Sequence, residues 1–544
     1  MSGKHMSYAA GSGAMGLLKD GYKHFSGVQE AVLKNTEAVK NFSEILRTSM
    51  GPNGMNKMVI NHLDKLFVTS DAATIVGELE VQHPAAKMIV MASKQQEQEF
   101  GDGTGFVVTF SGELMKKAEE LIKMGLHTAD IVKGYKLAWD FCMNEIDSLA
   151  VSEVKDLRNT EELIRAIKPV LAAKQRGYEN ILAPLVAKAC QRVFPHPSSG
   201  KKPVVNTDSV RIGKLMGSNI AESHIVDGMV IPRLSLSSVK FAEDAKVAVF
   251  GCGVEAAATE AKSTVLIDNA EDLINYNKSE ERMMEETIKA IKESGVKIII
   301  AGGPVSEMGL HFIEKYDMAV FKIVSKWMLR RLCRTFGATA LTRLGAVAPD
   351  EVGTIGKMET LEFGSNKLTV FRQVTMDTGR IATVVLRAST QNMLDDLERA
   401  VIDGVNTVKS LCNNPKLVAG AGACEIELAA RVQKLANSTK GLEQYAIRKY
   451  GEAFEVFPRT LGENGGSSST DLISKLYAAH ANGKNTMGVD IDETNALQDT
   501  VATGILDCLA TKKSALNMAS DATTTVLRVD QIIMSKQAGG PKKK

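Results

Sequence analysis

The chain is 544 residues long and carries 66 basic and 64 acidic side chains, a formal net charge of +2. That balance gives no electrostatic reason to expect nucleic acid or an anionic membrane as a partner, and aromatics at 5% argue against base-stacking platforms. The length calls for two to four domains rather than one core.

The seven cysteines (Cys142, Cys190, Cys252, Cys333, Cys412, Cys424 and Cys508) are odd in number, scattered and never in C-x-x-C spacing. Neither a disulfide framework nor a zinc site is indicated, and a reducing compartment fits. The N-terminus has no long apolar stretch and no apolar run reaches spanning length, so the chain reads as soluble and cytosolic.

Residues 1 to 24 are rich in Gly and Ser and are expected to be mobile. From Val28 the apolar positions Val32, Val39, Phe42, Ile45 and Leu46 follow helical spacing until Gly51-Pro52-Asn53-Gly54 stops the helix. Two β-rich runs, Lys57 to Asn61 and Leu66 to Ser70, read as a hairpin. Helical patterns follow over Pro84 to Phe100, Phe106 to Lys123 and Thr128 to Leu149.

Residues 151 to 217 hold two helices, near Glu161 and over Tyr178 to Phe194, and a Pro/Ser/Gly/Lys loop. From about 218 to 374, β-runs such as Val247 to Phe250, Lys297 to Ala301 and Met318 to Val324 alternate with helices such as Ser279 to Ser294 and Ser325 to Phe336. That alternation predicts an α/β domain with a largely parallel sheet. Lys367 to Val374 and Ile381 to Arg387 read as a hairpin across Met376-Asp377-Thr378-Gly379. From Gln391 the chain is helical again, with a β-like finish over Val526 to Met534 and a Lys-rich tail. The two helical ends are able to form one domain around an insertion.

Between the helical patterns ending at Phe100 and beginning at Phe106 lies Gly101-Asp102-Gly103-Thr104-Gly105. Its glycines allow close backbone approach, and Thr104 is placed to cap the second helix, whose open N–H groups and dipole attract phosphate. Asp102 would repel a polyphosphate unless a divalent cation stood between them, and Mg²⁺ is held by one or two carboxylates together with phosphate oxygens. The same five residues are also ordinary turn chemistry.

Other motifs carry paired readings. Gly51-Pro52-Asn53-Gly54 is a helix stop or a place where backbone N–H groups meet phosphate or ribose. Asp71 is a helix-capping acid or a group that orders a metal or the attacking water. Asp403 lies off the apolar face formed by Leu394, Leu397, Val401, Val405 and Val408, so it is a solvated acid or a general base acting on water beside a γ-phosphate. Gly420-Ala421-Gly422 is a packing contact or a phosphate cradle. Asp507 caps the next helix or accepts from a ribose hydroxyl. Lys174 is a solvated lysine or a phosphate sensor.

The run from Val247 into Gly251-x-Gly253-x-x-Ala256, with Asp268 beyond it, mimics a dinucleotide fingerprint. A β-like run near Ser263 leaves too little chain for the crossover helix, which sets that reading aside as a distant third. No G-x-x-x-x-G-K-[ST] occurs.

Taken in order, Gly51-Pro52-Asn53-Gly54-Met55-Asn56-Lys57, Asp71-Ala72-Ala73-Thr74-Ile75, Gly101-Asp102-Gly103-Thr104, Glu398 to Asp403, Gly504-Ile505-Leu506-Asp507 and Val526 to Asp530 resemble the group II chaperonins over practically the whole chain. Gln82 to Met88 and Glu443 to Ile447 look like the eukaryotic cytosolic branch. The resemblance implies a multidomain α+β fold. Residues 1–150 and 409–544 would form a helical equatorial domain, 151–217 and 375–408 a small intermediate hinge domain, and 218–374 an inserted α/β apical domain. A helical protrusion would rise from about Ile267 to Asn277 and the following helix.

The resemblance further implies an ATP-driven folding chamber in which seven paralogous subunits join this one in a double eight-membered ring. Unfolded proteins such as actin and tubulin would be its clients and prefoldin a candidate partner. Asp102 would hold Mg²⁺, with K⁺ a second candidate cation, and Asp71 and Asp403 would place and activate water. Met50, Gly51, Pro52, Gly103, Thr104, Gly105, Gly420, Gly422 and Asp507 would surround the nucleotide, with Lys174 near the γ-phosphate. The hairpin around Asn61 and the strand near Ile532 would pair with a neighbouring subunit.

Three positions depart from the commoner pattern. Ala72 replaces a glycine, Gly105 stands where threonine or asparagine is usual, and Ala419-Gly420-Ala421-Gly422 replaces Pro-Gly-Gly-Gly. A structural ring member with slow or absent turnover is therefore the alternative to an ATP-hydrolysing subunit.

Overall fold

The computed structural model describes residues 23–25, 28–195, 202–255, 269–363, 366–373 and 381–534. The chain divides into two compact units, one made of Met1–Val151 with Val418–Lys544 and the other of Ser152–Leu417. Both are mixed helix and sheet. Among the described residues no helix is long and apolar enough to cross a membrane.

The first unit is built around the helix Thr104–Lys123. Val107, Phe110, Leu114, Ala118, Leu121 and Ile122 recur at helical spacing, and Val108, Met115 and Thr109 bury the flanks, so the helix is enclosed on most sides. Around it pack the helices Val28–Arg47, Pro84–Phe100, Thr128–Glu145, Glu443–Ala453 and Leu509–Leu527, with Ala423–Ser438 behind them on Thr128–Glu145 and Glu443–Ala453. Pro84–Phe100 starts with a proline in its first turn and stops at Gly101, whose φ of 69° is a left-handed backbone that glycine adopts without penalty. The strands Lys57–Ile60 and Leu66–Thr69 pair antiparallel, as the alternating pattern predicts.

Two expectations fail in this unit. Thr104 does not cap its helix: Gly103 is the cap residue with no side-chain bond, and the Thr104 hydroxyl donates to Glu97 Oε2 at 2.8 Å. The β-like finish shrinks to Ile532–Met534, because Val526 and Leu527 are fully buried on the last turn of the helix Leu509–Leu527. Ile532–Met534 pairs antiparallel with Lys23–Phe25 of the same chain.

The second unit contains one large sheet. Its strands are β1 (Val210–Met216), β2 (His224–Ile231), β3 (Phe241–Phe250), β4 (Val296–Ala301), β5 (Ala319–Lys322), β6 (Ala340–Leu341), β7 (Gly353–Phe363), β8 (Asn366–Arg372) and β9 (Ala382–Ala388). The spatial order is β1-β9-β2-β8-β7-β3-β4-β5, with β6 beside β3. β3, β4, β5 and β6 run parallel, and this end of the sheet is buried on both faces, as its near-continuous apolar runs require. Val247, Val249, Ile298 and Ile300 face Leu332 and Phe336 of the helix Lys326–Phe336. Ala248, Phe250 and Ile299 face Ile288 and Ile291 of Ala270–Glu293 and Phe312 of Glu307–Lys315.

The sheet is mixed rather than largely parallel. From β3 through β7, β8, β2 and β9 every pairing is antiparallel, and parallel pairing returns only between β9 and β1. Parallel neighbours need helical crossovers, and the β3-to-β6 stretch supplies them. Nor do β8 and β9 form a hairpin with each other: β2 lies between them and pairs with both. The turn assigned to 376–379 lies outside the described residues, as do residues 256–268, which include the start of the expected protrusion.

The dinucleotide-like glycines also receive a structural reason. β3 and β4 are parallel and the helix Ala270–Glu293 lies between them in sequence, so the crossover is not short and that objection fails. The glycines instead let two turns touch. A Cβ on Gly253 would stand 2.6 Å from Pro304 O, and one on Gly302 would stand 2.7 Å from Gly251 O. Gly302 N–H donates to Phe250 O at 2.8 Å, so the turn is closed by protein.

A separate cluster in this unit joins the helices Thr160–Lys174, Glu179–Val193 and Gln391–Asn413 through Leu163, Ile167, Leu182, Val186, Leu397 and Val401.

Candidate functional site

In the first unit the mouth of the helix Thr104–Lys123 is assembled from several distant segments. The first helical bond is Val107 N–H to Gly103 O, so the N–H groups of Thr104, Gly105 and Phe106 have no partner within the helix. Gly103 has φ 85°, and Asp102 Oδ1 accepts from Gly103 N–H at 2.7 Å, which places the carboxylate beside this electropositive end. Gln96, fully buried, donates from Nε2 to Asp102 O at 2.9 Å and to Thr511 O at 3.3 Å, while its Oε1 accepts from Ser514 Oγ at 2.8 Å. One amide thereby ties the Asp102 loop to the helix that follows Asp507.

Asp71 ends the strand hairpin and caps the helix Ala72–Glu78. Its Oδ2 accepts from Thr74 N–H at 2.9 Å and from Thr74 Oγ1 at 2.7 Å. A Cβ at Gly105 would stand 3.5 Å from Ala72 Cβ, so the start of that helix lies against the mouth. The two departures from the family pattern are thus neighbours: a methyl gained at 72 faces a side chain lost at 105.

The helix Val456–Asn464 backs the remaining loops. Phe457 stacks on Phe106 with ring centroids 4.2 Å apart. Pro458 Cβ would lie 2.8 Å from a Cβ on Gly422, and Leu461 Cδ2 would lie 2.5 Å from one on Gly51. Met50 O accepts from Asn464 Nδ2 at 2.9 Å, and Gly54 N–H closes on Gly51 O at 2.9 Å around Pro52. Pro458, Leu461 and Asn464, three apart along one helix face, therefore hold both glycine loops. Gly420 N–H donates to Ile505 O at 3.0 Å, which brings the loop before the helix Ala423–Ser438 to the Gly504–Asp507 turn.

Ala421 carries φ 51°, an uncommon conformation for a residue with a side chain. Its Cβ lies against Gly488, where an added Cβ would come within 2.9 Å of it, so the extra methyl is taken up on the strand Met487–Val489.

Asp507 does not cap the following helix, whose cap residue is Cys508 with no side-chain bond. Its Oδ2 pairs with Lys512 Nζ at 2.7 Å, and Lys512 also reaches Glu425 Oε1 at 2.8 Å. Burial works against the charge on Lys512, but the carboxylates of Asp507 and Glu425 outweigh it and hold the ammonium above its ordinary pKa. Lys512, Glu425 and Gln96 did not stand out as functional in the sequence. A signal existed for Lys512, because it shares a helical stripe with Ala515, Leu516, Ala519 and Val526, all buried.

The second unit holds the other two residues. Asp403 is not solvated: it is 5% exposed within the helix Gln391–Asn413, and its Oδ2 pairs with Lys174 Nζ at 3.3 Å. Lys174 is the last residue of the helix Thr160–Lys174, where a cation meets the negative end of the dipole.

Among the described residues no three His, Cys, Asp or Glu side chains gather into a metal cage. The Asp102 carboxylate beside N–H groups that have no partner within the helix matches the way Mg²⁺ is held together with phosphate.

Residues 42–537 match the TCP-1/cpn60 chaperonin family, and the chain belongs to that family. It is a chaperonin subunit. The chain is 50% identical over 534 residues to T-complex protein 1 subunit theta of Arabidopsis thaliana, a match spanning 98% of this chain and 96% of that protein. Subunit theta of Homo sapiens is 48% identical over 539 residues, 99% of this chain and 97% of the relative. That of Dictyostelium discoideum is 47% identical over 531 residues, 97% and 98% respectively. The family read from the ordered motifs is confirmed, and the stretches 82–88 and 443–447, which look like theta subunits, agree with these names.

Proposed function

We propose that the chain is an ATP-hydrolysing subunit of a cytosolic hetero-oligomeric ring chaperonin of the TRiC/CCT type. The observation that carries this reading is the gathering of Gly51, Asp71, Asp102, Gly420 and Asp507 into one set of packed loops around a helix mouth. Seven paralogous subunits complete each eight-membered ring. Clients are unfolded proteins such as actin and tubulin, with prefoldin as a delivery partner, and neither nucleic acid nor membrane takes part. Met1–Val151 with Val418–Lys544 serves as the equatorial domain, and the other unit supplies the intermediate and apical domains. The hairpin Lys57–Ile60 and Leu66–Thr69, with Met58, Ile60, Leu63 and Leu66 exposed, serves as an assembly edge.

Asp102 holds Mg²⁺, which when bound neutralises phosphate oxygens; K⁺ is a second cation for the same mouth. Backbone N–H groups of Thr104, Gly105 and Gly422 face phosphate, with Gly420, Gly103, Met50, Gly51 and Pro52 closing around the nucleotide and Asp507 accepting from the sugar. Asp71 orients water. Asp403 accepts its proton when the intermediate domain swings toward the nucleotide, and Lys174, now on Asp403, then meets the γ-phosphate. Retention of all three acids favours this reading over a ring member with absent turnover.

Asp71→Asn separates capping from charge. Asparagine keeps a capping oxygen, so helix Ala72–Glu78 and ring assembly are retained. Photo-cross-linking of γ-labelled azido-ATP in the assembled ring reads cleavage at this subunit alone. The wild-type chain loses the γ label, whereas the variant holds it about 10²-fold longer. Equal loss from both would remove Asp71 from the chemistry.

A further inference from the structure

Asp507 is placed oddly for a residue that must recognise a sugar. It sits on the short strand Leu506–Cys508, and its side chain is 39% exposed, which leaves an unpaired aspartate free to change rotamer. One oxygen, however, is turned inward. Oδ2 lies 2.7 Å from Lys512 Nζ, and that ammonium is itself fixed by Glu425 Oε1 at 2.8 Å on the neighbouring helix Ala423–Ser438.

Lys512 lies one turn into the helix Leu509–Leu527, and the residue before it is held by Gln96 through Thr511 O, the same amide that holds Asp102 O. Glu425 is 4% exposed, and its second oxygen, Oε2, is buried without a hydrogen-bond partner. Lys512 is therefore what keeps two carboxylates together. Without it Glu425 and Asp507 repel each other, and Asp507, the exposed one, turns away into solvent.

We propose that Lys512 is a positioning residue that fixes the Asp507 carboxylate to accept a ribose hydroxyl, and so sets the preference of this subunit for ribonucleotides over deoxyribonucleotides. This rests on the reading of Asp507 as the sugar contact. A hydrogen bond to a charged acceptor corresponds to a preference of about 10- to 100-fold. Lys512 touches no nucleotide, so its effect passes entirely through Asp507.

The test is competition in the assembled ring. Azido-ATP labels this subunit, and ATP, 2′-deoxy-ATP and 3′-deoxy-ATP are compared as competitors. In the wild-type chain one deoxynucleotide competes about 10-fold or more worse than ATP. In Lys512→Met that ratio falls to about 3-fold or less, and Lys512→Met with Asp507→Ala loses no more than Asp507→Ala alone. If Lys512→Met does not assemble, Lys512→Gln, which keeps a donor but no charge, gives the same comparison.

Weaker binding of every nucleotide with the ratio intact would make Lys512 structural and overturn the proposal. A wild-type chain without preference, or an Asp507→Ala variant that keeps it, would overturn the sugar contact itself and the proposal with it.

Discussion

Asp403→Asn is expected to leave nucleotide uptake by this subunit intact and to slow cleavage of the γ-phosphate by about 10²- to 10⁴-fold, the range a positioned general base contributes. Asparagine matches the carboxylate in shape, so the helix Gln391–Asn413 and its packing through Leu397 and Val401 are preserved. The change removes the negative partner of Lys174 at 3.3 Å. A fully buried pair broken in this way costs about 3–5 kcal/mol, and the smaller figure of about 1–2 kcal/mol applies here because the Lys174 side chain keeps 19% of its exposure. Chemistry and stability are read separately: retained γ label on cross-linked nucleotide reports the first, and thermal unfolding of the ring reports the second. Cleavage at the wild-type rate with Asp403 neutralised would give the subunit a structural role in the ring.

Phe110→Ala is expected to destabilise the first unit by about 3–5 kcal/mol, the cost of truncating a large buried aromatic. Phe110 is fully buried, with ring centroids 4.7 Å from Phe454, 5.6 Å from Tyr450 and 5.7 Å from Phe106. Phe106 in turn stacks on Phe457, next to the Pro458 that backs Gly422. The cavity therefore opens directly beneath the mouth that carries Asp102. Amide exchange in the helix Thr104–Lys123 should accelerate accordingly, and nucleotide affinity should fall although no residue touching nucleotide has changed. A loss below about 1 kcal/mol would mean that the neighbouring rings close the gap without cost to the site.

Local chemistry accounts for what the sequence disclosed. Pro84 and Gly101 bracket one helix because proline suits a first turn and glycine a left-handed end, and both act within a few residues. The hairpin of 57–60 and 66–69 is legible for the same reason. The motif loops themselves were also visible, since Gly and Asp clustered between helical patterns mark turns. What brings them together was not. Phe457, Pro458 and Leu461 read as ordinary apolar positions, and only the folded chain shows them backing Phe106, Gly422 and Gly51.

Long-range order explains the errors as well. Turn residues between β8 and β9 signal a hairpin, and nothing local reveals that β2, far earlier in the chain, pairs between them. Asp403 lies off the apolar stripe of its helix and so reads as solvated. Its burial depends on Lys174, 229 positions earlier in sequence numbering, supplying the counter-charge. Lys512 was missed for the converse reason, a cation placed on an apolar stripe where Asp507 and Glu425 make it tolerable.

The most direct measurement is a structure of the closed ring with a γ-phosphate transition-state mimic and Mg²⁺ at this subunit. Asp102 should ligate the metal, Asp71 and Asp403 should flank the water in line with the phosphorus, and Lys174 should have left Asp403 for the phosphate. A closed ring in which Asp403 still pairs with Lys174 away from the phosphate, with the mimic bound, would contradict the account.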